Sequence, residues 1–158
     1  MLRVDVDSDQ VRQRMARIAK RYRLDLIVLF GSQRTGLTSA RSDVDVAVLW
    51  KSRPRPIGHE PWRPTLLREG GLVNDLSDAL GVADNLDLAV LNDASPLLLW
   101  EVARHGQLLY EVAPGRFHGF WLYALHMWRD NAHRYDAQAA YLHERAAQWN
   151  TAGSPDAA

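Results

Sequence analysis

Apolar positions along the chain fall into patterns that divide it into eight elements. Over residues 8–23, Val11, Met15, Ile18 and Tyr22 recur at helical spacing and share one face. Arg12, Arg14, Arg17, Lys20, Arg21 and Arg23 occupy the other faces, either as a solvated surface or as a local basic patch for an acidic partner. Ser8 or Asp7 can cap this helix, because a short side-chain oxygen satisfies its first free N–H groups. Residues 24–30 form a nearly continuous apolar run, the pattern of a strand covered on both sides. Residues 43–50 alternate instead, with Val44, Val46 and Val48 on the face expected to meet the core and Asp43 and Asp45 on the other.

Residues 51–64 hold four of the seven prolines and read as loop. A helix follows over 64–80, with Leu66, Val73, Leu76 and Leu80 on one side and Gly81 as its stop. Each glycine inside a helix costs about 1 kcal/mol relative to alanine, so Gly70-Gly71 predicts a break or hinge. Residues 85–91 form a third strand, in which Asp87 interrupts an apolar pattern and Leu86, Leu88 and Val90 face the opposite way. Ser95 as N-cap, Pro96 at the first helical position and Gly106 past the end frame the next helix. Residues 108–112 make a short strand at the edge of the sheet. Pro114-Gly115 marks a boundary and 116–149 read as one helix. The expected division is a domain over 1–112, a helical extension over 113–150 and a disordered tail over 151–158.

Within the long helix, Trp121, Leu125, Trp128, Ala132, Tyr135, Ala139, Leu142, Ala146 and Trp149 alternate steps of four and three, a heptad-like seam. A helix of this length spans about 50 Å, whereas a core of roughly 110 residues has a radius of gyration near 13 Å. The helix therefore bends back or projects. Either the seam packs on the chain's own domain, or its second half, about 132–149, contacts a partner chain or a second copy.

At 158 residues the chain favours one domain with an appendage. Its 19 basic and 19 acidic side chains cancel, so bulk charge gives no reason to expect direct nucleic-acid or membrane binding. The absence of cysteine excludes disulfides and thiolate metal sites. No run approaches the ~20 apolar residues of a membrane span, and the first residues lack a signal peptide's apolar region. A cytoplasmic location is the default.

The chemistry concentrates in residues 29–49, where an apolar strand runs into Gly31-Ser32 and, ten residues later, Asp43-Val44-Asp45 heads a second strand. Aspartate is depleted in strands, and an unpaired charge on a packed sheet is costly. Asp43, Asp45 and Asp87 on adjacent strands repel one another unless a cation sits between them, and hard oxygen ligands select Mg²⁺ or Mn²⁺. Gly31 lets phosphate approach the backbone, Ser32 adds a hydroxyl donor, and Arg34 and Arg41 can neutralise phosphate charge. Each part alone is common, but the joint pattern is far rarer.

At these residues the chain resembles the nucleotidyltransferase superfamily with the DNA polymerase β-like fold. It is most similar to the minimal nucleotidyltransferases (MNT), small proteins often paired with HEPN toxins. The resemblance covers about residues 10–112 and includes the SDVDVAVL, LDLAVL and SPLLLWEVARHGQLLYE segments. It implies an α+β fold, a small mixed β-sheet with flanking helices, followed here by the long C-terminal helix. By motif, Asp43, Asp45 and Asp87 would bind the metal ions, Asp87 would also help activate the acceptor hydroxyl, and Gly31 and Ser32 would hold the triphosphate. The implied activity is transfer of AMP from ATP to a tyrosine of a HEPN-family toxin, which silences the toxin's RNase. Many relatives carry arginine directly after Gly-Ser or two positions further on; here those positions are Gln33 and Thr35, and the arginine is Arg34.

Two other readings stay open. The chain could neutralise a toxin by contact alone, through the C-terminal helix, or could act on a small molecule such as an aminoglycoside, or on RNA. Homo-oligomerisation is also open. Arg129, His133 and Tyr135 resemble the HEPN signature with too short a spacing, which reads as coincidence. His126, Asp130 and His133 share a helical face that reads as solvated or as an interface rather than a zinc site.

Overall fold

A computed structural model describes residues 8–31, 44–52, 62–82 and 85–152, with side chains described except at 62–66 and 138–152. The order is α1 (Asp9–Tyr22), β1 (Leu24–Phe30), β2 (Val44–Trp50), α2 (Trp62–Leu80), β3 (Leu86–Val90), α3 (Pro96–His105), β4 (Gln107–Glu111) and α4 (Arg116–Ala152). A 3₁₀ turn covers Leu91–Asp93. The strands form one sheet in the order β3-β2-β1-β4, so β4 does lie at an edge. β1 is antiparallel to both β2 and β4, whereas β2 and β3 are parallel. This is the mixed sheet of an α+β fold.

Both faces of the sheet are covered, which is why the first strand is apolar almost throughout. An irregularity in the β1–β2 register between Leu24 and Leu26 breaks the simple alternation. As a result Leu24, Ile27 and Leu29 join Val44, Val46, Val48 and Leu86 in a core under α1 and α2. Leu26, Val28 and Ala47 join Leu99, Val102, Phe120 and Ala124 in a second core under α3 and α4. The expectation that the valine face of β2 meets the core holds, but the aspartate face carries a core of its own further along the strand.

Ser8 caps α1, its hydroxyl accepting from the Val11 N–H at 3.3 Å. The other candidate cap, Asp7, lies outside the described residues. Ser95 caps α3 in the same way, accepting from the Leu98 N–H at 3.2 Å. Contrary to expectation, α2 runs unbroken through Gly70-Gly71. A Cβ added to Gly71 would stand 3.0 Å from the Tyr22 hydroxyl. Glycine is there to let α1 approach α2 closely, and the packing this permits offsets its helix penalty.

That approach builds a dense junction. The buried Tyr22 donates its hydroxyl proton to Asp75 Oδ2 at 2.9 Å, and Arg21 Nη1 reaches the same oxygen at 3.1 Å. Arg68 donates to the Tyr22 carbonyl at 2.7 Å, with its guanidinium 4.4 Å from the centroid of the Trp50 ring. The Asn92 side chain accepts from the Trp50 N–H at 2.9 Å and donates to its carbonyl at 3.0 Å, extending the sheet pairing past the end of β3.

The long helix is tied down at its start. Arg116 Nε meets Asp25 Oδ2 at 3.0 Å, and Glu111 accepts from the Phe117 N–H at 3.0 Å. The first half of the seam turns inward. Trp121 lies 6.1 Å and Trp128 6.4 Å from Trp100 of α3, centroid to centroid, and Tyr135 stacks on Trp128 at 5.4 Å. Leu122 and Tyr123, on another face, are half exposed. The helix extends to Ala152, past the expected end at 149–150. The remaining tail, 153–158, and the seam side chains from Ala139 to Trp149 lie outside what is described.

Burial, then the hydrogen bond and negative charge of Asp75, raise the Tyr22 pKa above its ordinary 10.0. A raised folded value means that stability is intact while the hydroxyl is protonated in both states and falls as pH climbs from about 10 toward the folded value. Tyr22→Phe should cost about 1 kcal/mol at pH 8 and lose less stability than wild type between pH 9 and 11. Urea unfolding across that range measures both.

Candidate active site

The backbone leaves β1 at Phe30 and turns at Gly31, whose φ of +82° lies in the left-handed region that side chains rarely adopt. Phe30 pairs with Asp45 across the β1–β2 ladder, so the turn passes directly over the Asp45 side chain. A Cβ on Gly31 would collide with the Asp45 carboxylate, standing 2.8 Å from its Cγ. Sequence reasoning assigns this glycine to close approach by phosphate. The structure supplies a nearer reason, which is room for Asp45.

On its other side, Asp45 pairs in register with Asp87 across the parallel β2–β3 ladder. Neighbouring strands lie ~4.8 Å apart and paired residues point to the same face. By that alternation the two aspartates share the face of Ala47, Leu49 and Ala89, which pack against the α3–α4 core. They stand at the end of that face, where Asp45 is half-buried and Asp87 exposed. The Val44 N–H donates to the Asn85 carbonyl at 2.7 Å, fastening the two strands one step before the carboxylates.

The structure thus brings together Gly31, Asp45 and Asp87. The other expected members, Ser32, Arg34, Arg41 and Asp43, lie outside the described residues. Two carboxylates held in register, under a turn with no side chain, form the all-oxygen donor set that suits a hard divalent cation. Among the described residues no three His, Cys, Asp or Glu side chains converge to hold a metal; Asp43 is not among them. On α4, His126 Nε2 meets Asp130 Oδ2 at 3.2 Å, and both side chains are largely exposed.

The elements behind Asp45 and Asp87 are legible as strands, but their register is not. What sequence reasoning missed is Asn85, because a backbone carbonyl carries no signal in residue type. It also missed Trp100 as the partner of the seam. Its position near the middle of a short apolar helix is compatible with any neighbour.

The arrangement of a β-strand, a glycine turn and paired aspartates on the next two strands is that of a nucleotidyltransferase. The family model for polymerase beta nucleotidyltransferases matches residues 13–114, and the chain belongs to that family. Among individual proteins, it is 35% identical to the protein adenylyltransferase MntA of Aphanizomenon flos-aquae (strain 2012/KM1/D3) over 103 residues. That match takes in 61% of this chain and 63% of the relative, so the chain spans just under two thirds of the relative's length.

Solved structures share the fold. A chain of a toxin–antitoxin crystal structure with AMP-PNP superposes with a TM-score of 0.61 at 23% identity, covering 83% of this chain and 98% of that one. A chain from the complex of a tri-AMPylated Shewanella oneidensis HEPN toxin with an MNT antitoxin gives 0.56 at 21%, covering 84% and 96%. Among the described residues, no helix is long and apolar enough to cross a membrane.

Paired carboxylates destabilise a metal-free sheet. In EDTA, Asp87→Asn should therefore match or exceed wild-type stability by up to about 1 kcal/mol. Adding Mn²⁺ should raise the wild-type melting temperature and move the variant much less. Thermal scans with and without Mn²⁺ provide the check.

Proposed function

We propose that this chain is a divalent-metal-dependent nucleotidyltransferase that moves AMP from ATP to a hydroxyl of a protein partner. In this reading the acceptor is a tyrosine of a HEPN-family toxin and the chain is its antitoxin. The observation that carries the reading is the in-register pair Asp45 and Asp87 beneath the side-chain-free turn at Gly31. The likeness to a protein adenylyltransferase adds the choice of AMP and of a protein acceptor.

Asp45 and Asp87, with Asp43, would hold Mg²⁺ or Mn²⁺. Bound there, the metal would neutralise triphosphate charge and lower the pKa of the acceptor hydroxyl. Asp87, the exposed member of the pair, is suited to meet the incoming hydroxyl and take its proton. The acceptor oxygen then bonds to the α-phosphorus as the bond from that phosphorus to the bridging oxygen breaks, and pyrophosphate leaves. Gly31 and Ser32 would offer backbone and hydroxyl donors to the phosphates, and Arg34 and Arg41 positive charge. Gly31 also leaves room for the Asp45 carboxylate, so its role would be shared between nucleotide and metal.

The test is label transfer from α-³²P-ATP in Mg²⁺ to a HEPN protein encoded beside this chain. Wild type should label it. Asp45→Ala and Asp87→Ala should each lower the rate by at least about a hundredfold, and Gly31→Ala by about tenfold or more. Transfer that survives both aspartate substitutions would overturn the mechanism.

A further inference from the structure

A groove lies on the other face of the sheet from Asp45 and Asp87. α1 and α2 run antiparallel there. Tyr22 sits against Gly71 and Asp75, and further back along α1 Arg17 and Arg14 line the same groove as Asp78. Between the helices is a groove of about 450 Å³, walled by Arg14, Arg17 and Arg21 on one side and by Asp75 and Asp78 on the other, with Ile18 at its base. The three arginines follow one another at steps of three and four, which places them along one edge of α1. α1 carries five cations and one carboxylate in a chain whose net charge is zero.

Two properties separate this groove from an ordinary solvated helix face. One is that its wall is partly preorganised. Arg21 is held by Asp75, which is fixed in turn by the buried Tyr22 hydroxyl. The other is that Arg14, Arg17 and Asp78 make no ion pair or side-chain hydrogen bond among the described residues, so their bonding capacity is unspent. Guanidinium groups favour carboxylates and phosphates in a two-pronged geometry. The two aspartates decide between these ligands. They repel a continuous phosphate backbone, whereas a polypeptide can answer them with a lysine or arginine of its own.

We infer that the α1–α2 groove docks a predominantly acidic segment of a protein partner, its carboxylates meeting Arg14 and Arg17 and a basic residue meeting Asp78. This contact goes beyond the transfer reaction. It needs neither metal nor nucleotide, and it gives the chain a second hold on a partner, away from the carboxylates.

The experiment uses the full chain in EDTA without nucleotide, so that its outcome is independent of the transfer reaction. The probe is a fluorescein-labelled helical peptide with glutamates at every third or fourth position and one lysine, read by anisotropy. Saturable binding is expected, weakening at least about tenfold when the peptide's glutamates become glutamine, and again by about tenfold or more in Arg14→Glu with Arg17→Glu. The milder Arg14→Gln with Arg17→Gln, checked by circular dichroism, should fall between wild type and the reversal. Failure of the acidic peptide to bind saturably, or binding unchanged by both double variants, would overturn the proposal. Tighter binding of a single-stranded RNA oligonucleotide that is lost in the same variants would also overturn it and assign the groove to nucleic acid.

Discussion

Two unit charges of like sign about 5 Å apart repel by on the order of 1–3 kcal/mol, between bulk-water and protein-surface dielectrics. The fold holds Asp45 and Asp87 next to each other against such a force. It does so by sinking the rest of β2 into apolar material. Val44, Val46, Ala47 and Val48 are all nearly inaccessible, and the strand is paired on both sides, with β1 from Asp45 to Trp50 and with β3 from Val44 to Val48. Neither aspartate's backbone can retreat without moving a strand packed into the cores. Gly31 allows the turn to pass over Asp45 at all, because a Cβ there would collide with the carboxylate. In the proposed mechanism such a site would be prepared for a cation before one arrives, which is what electrostatic preorganisation requires.

The two faces of the sheet carry different burdens. On one, α3 and α4 cover the apolar part of the face, and at its end Asp45 is half-buried and Asp87 exposed. On the other, α1 and α2 seal the sheet and are fastened together by Tyr22, Asp75 and Arg68. The chain therefore keeps its paired aspartates and its basic helix on opposite sides of a layer one strand thick. The aromatic column of Trp121, Trp100, Trp128 and Tyr135 fixes the direction in which α4 departs, and it uses the first half of the seam to do so.

Much of this was readable from residues alone. The apolar run at 24–30, the alternation at 43–50 and the Ser95-Pro96…Gly106 punctuation each encode a local preference, and the elements appear where those preferences put them. Asp87 stood out because an aspartate interrupting LDLAVL makes little sense in a packed sheet, and the structure places it in register with Asp45. What could not be read was relational. Gly70-Gly71 signals a break by propensity, and only the position of Tyr22 on another helix explains why the helix continues. The register that sets Asp45 against Asp87, and the groove between α1 and α2, depend on how separate segments meet. Composition along one segment carries no record of that.

The pairing pattern also orders the assembly of the site in time. β1 and β2 are antiparallel neighbours in sequence, and their contact closes a short loop. β3 joins in parallel only after α2 has crossed the sheet, bringing together aspartates roughly forty residues apart. Contacts of such separation form late, since the entropy of closing the longer segment must first be overcome. A chain emerging from the ribosome holds Gly31 and Asp45 well before Asp87 reaches them. By this separation the Asp45–Asp87 pair is expected to form after the β1–β2 hairpin, so a partly folded chain would hold the turn and Asp45 without Asp87.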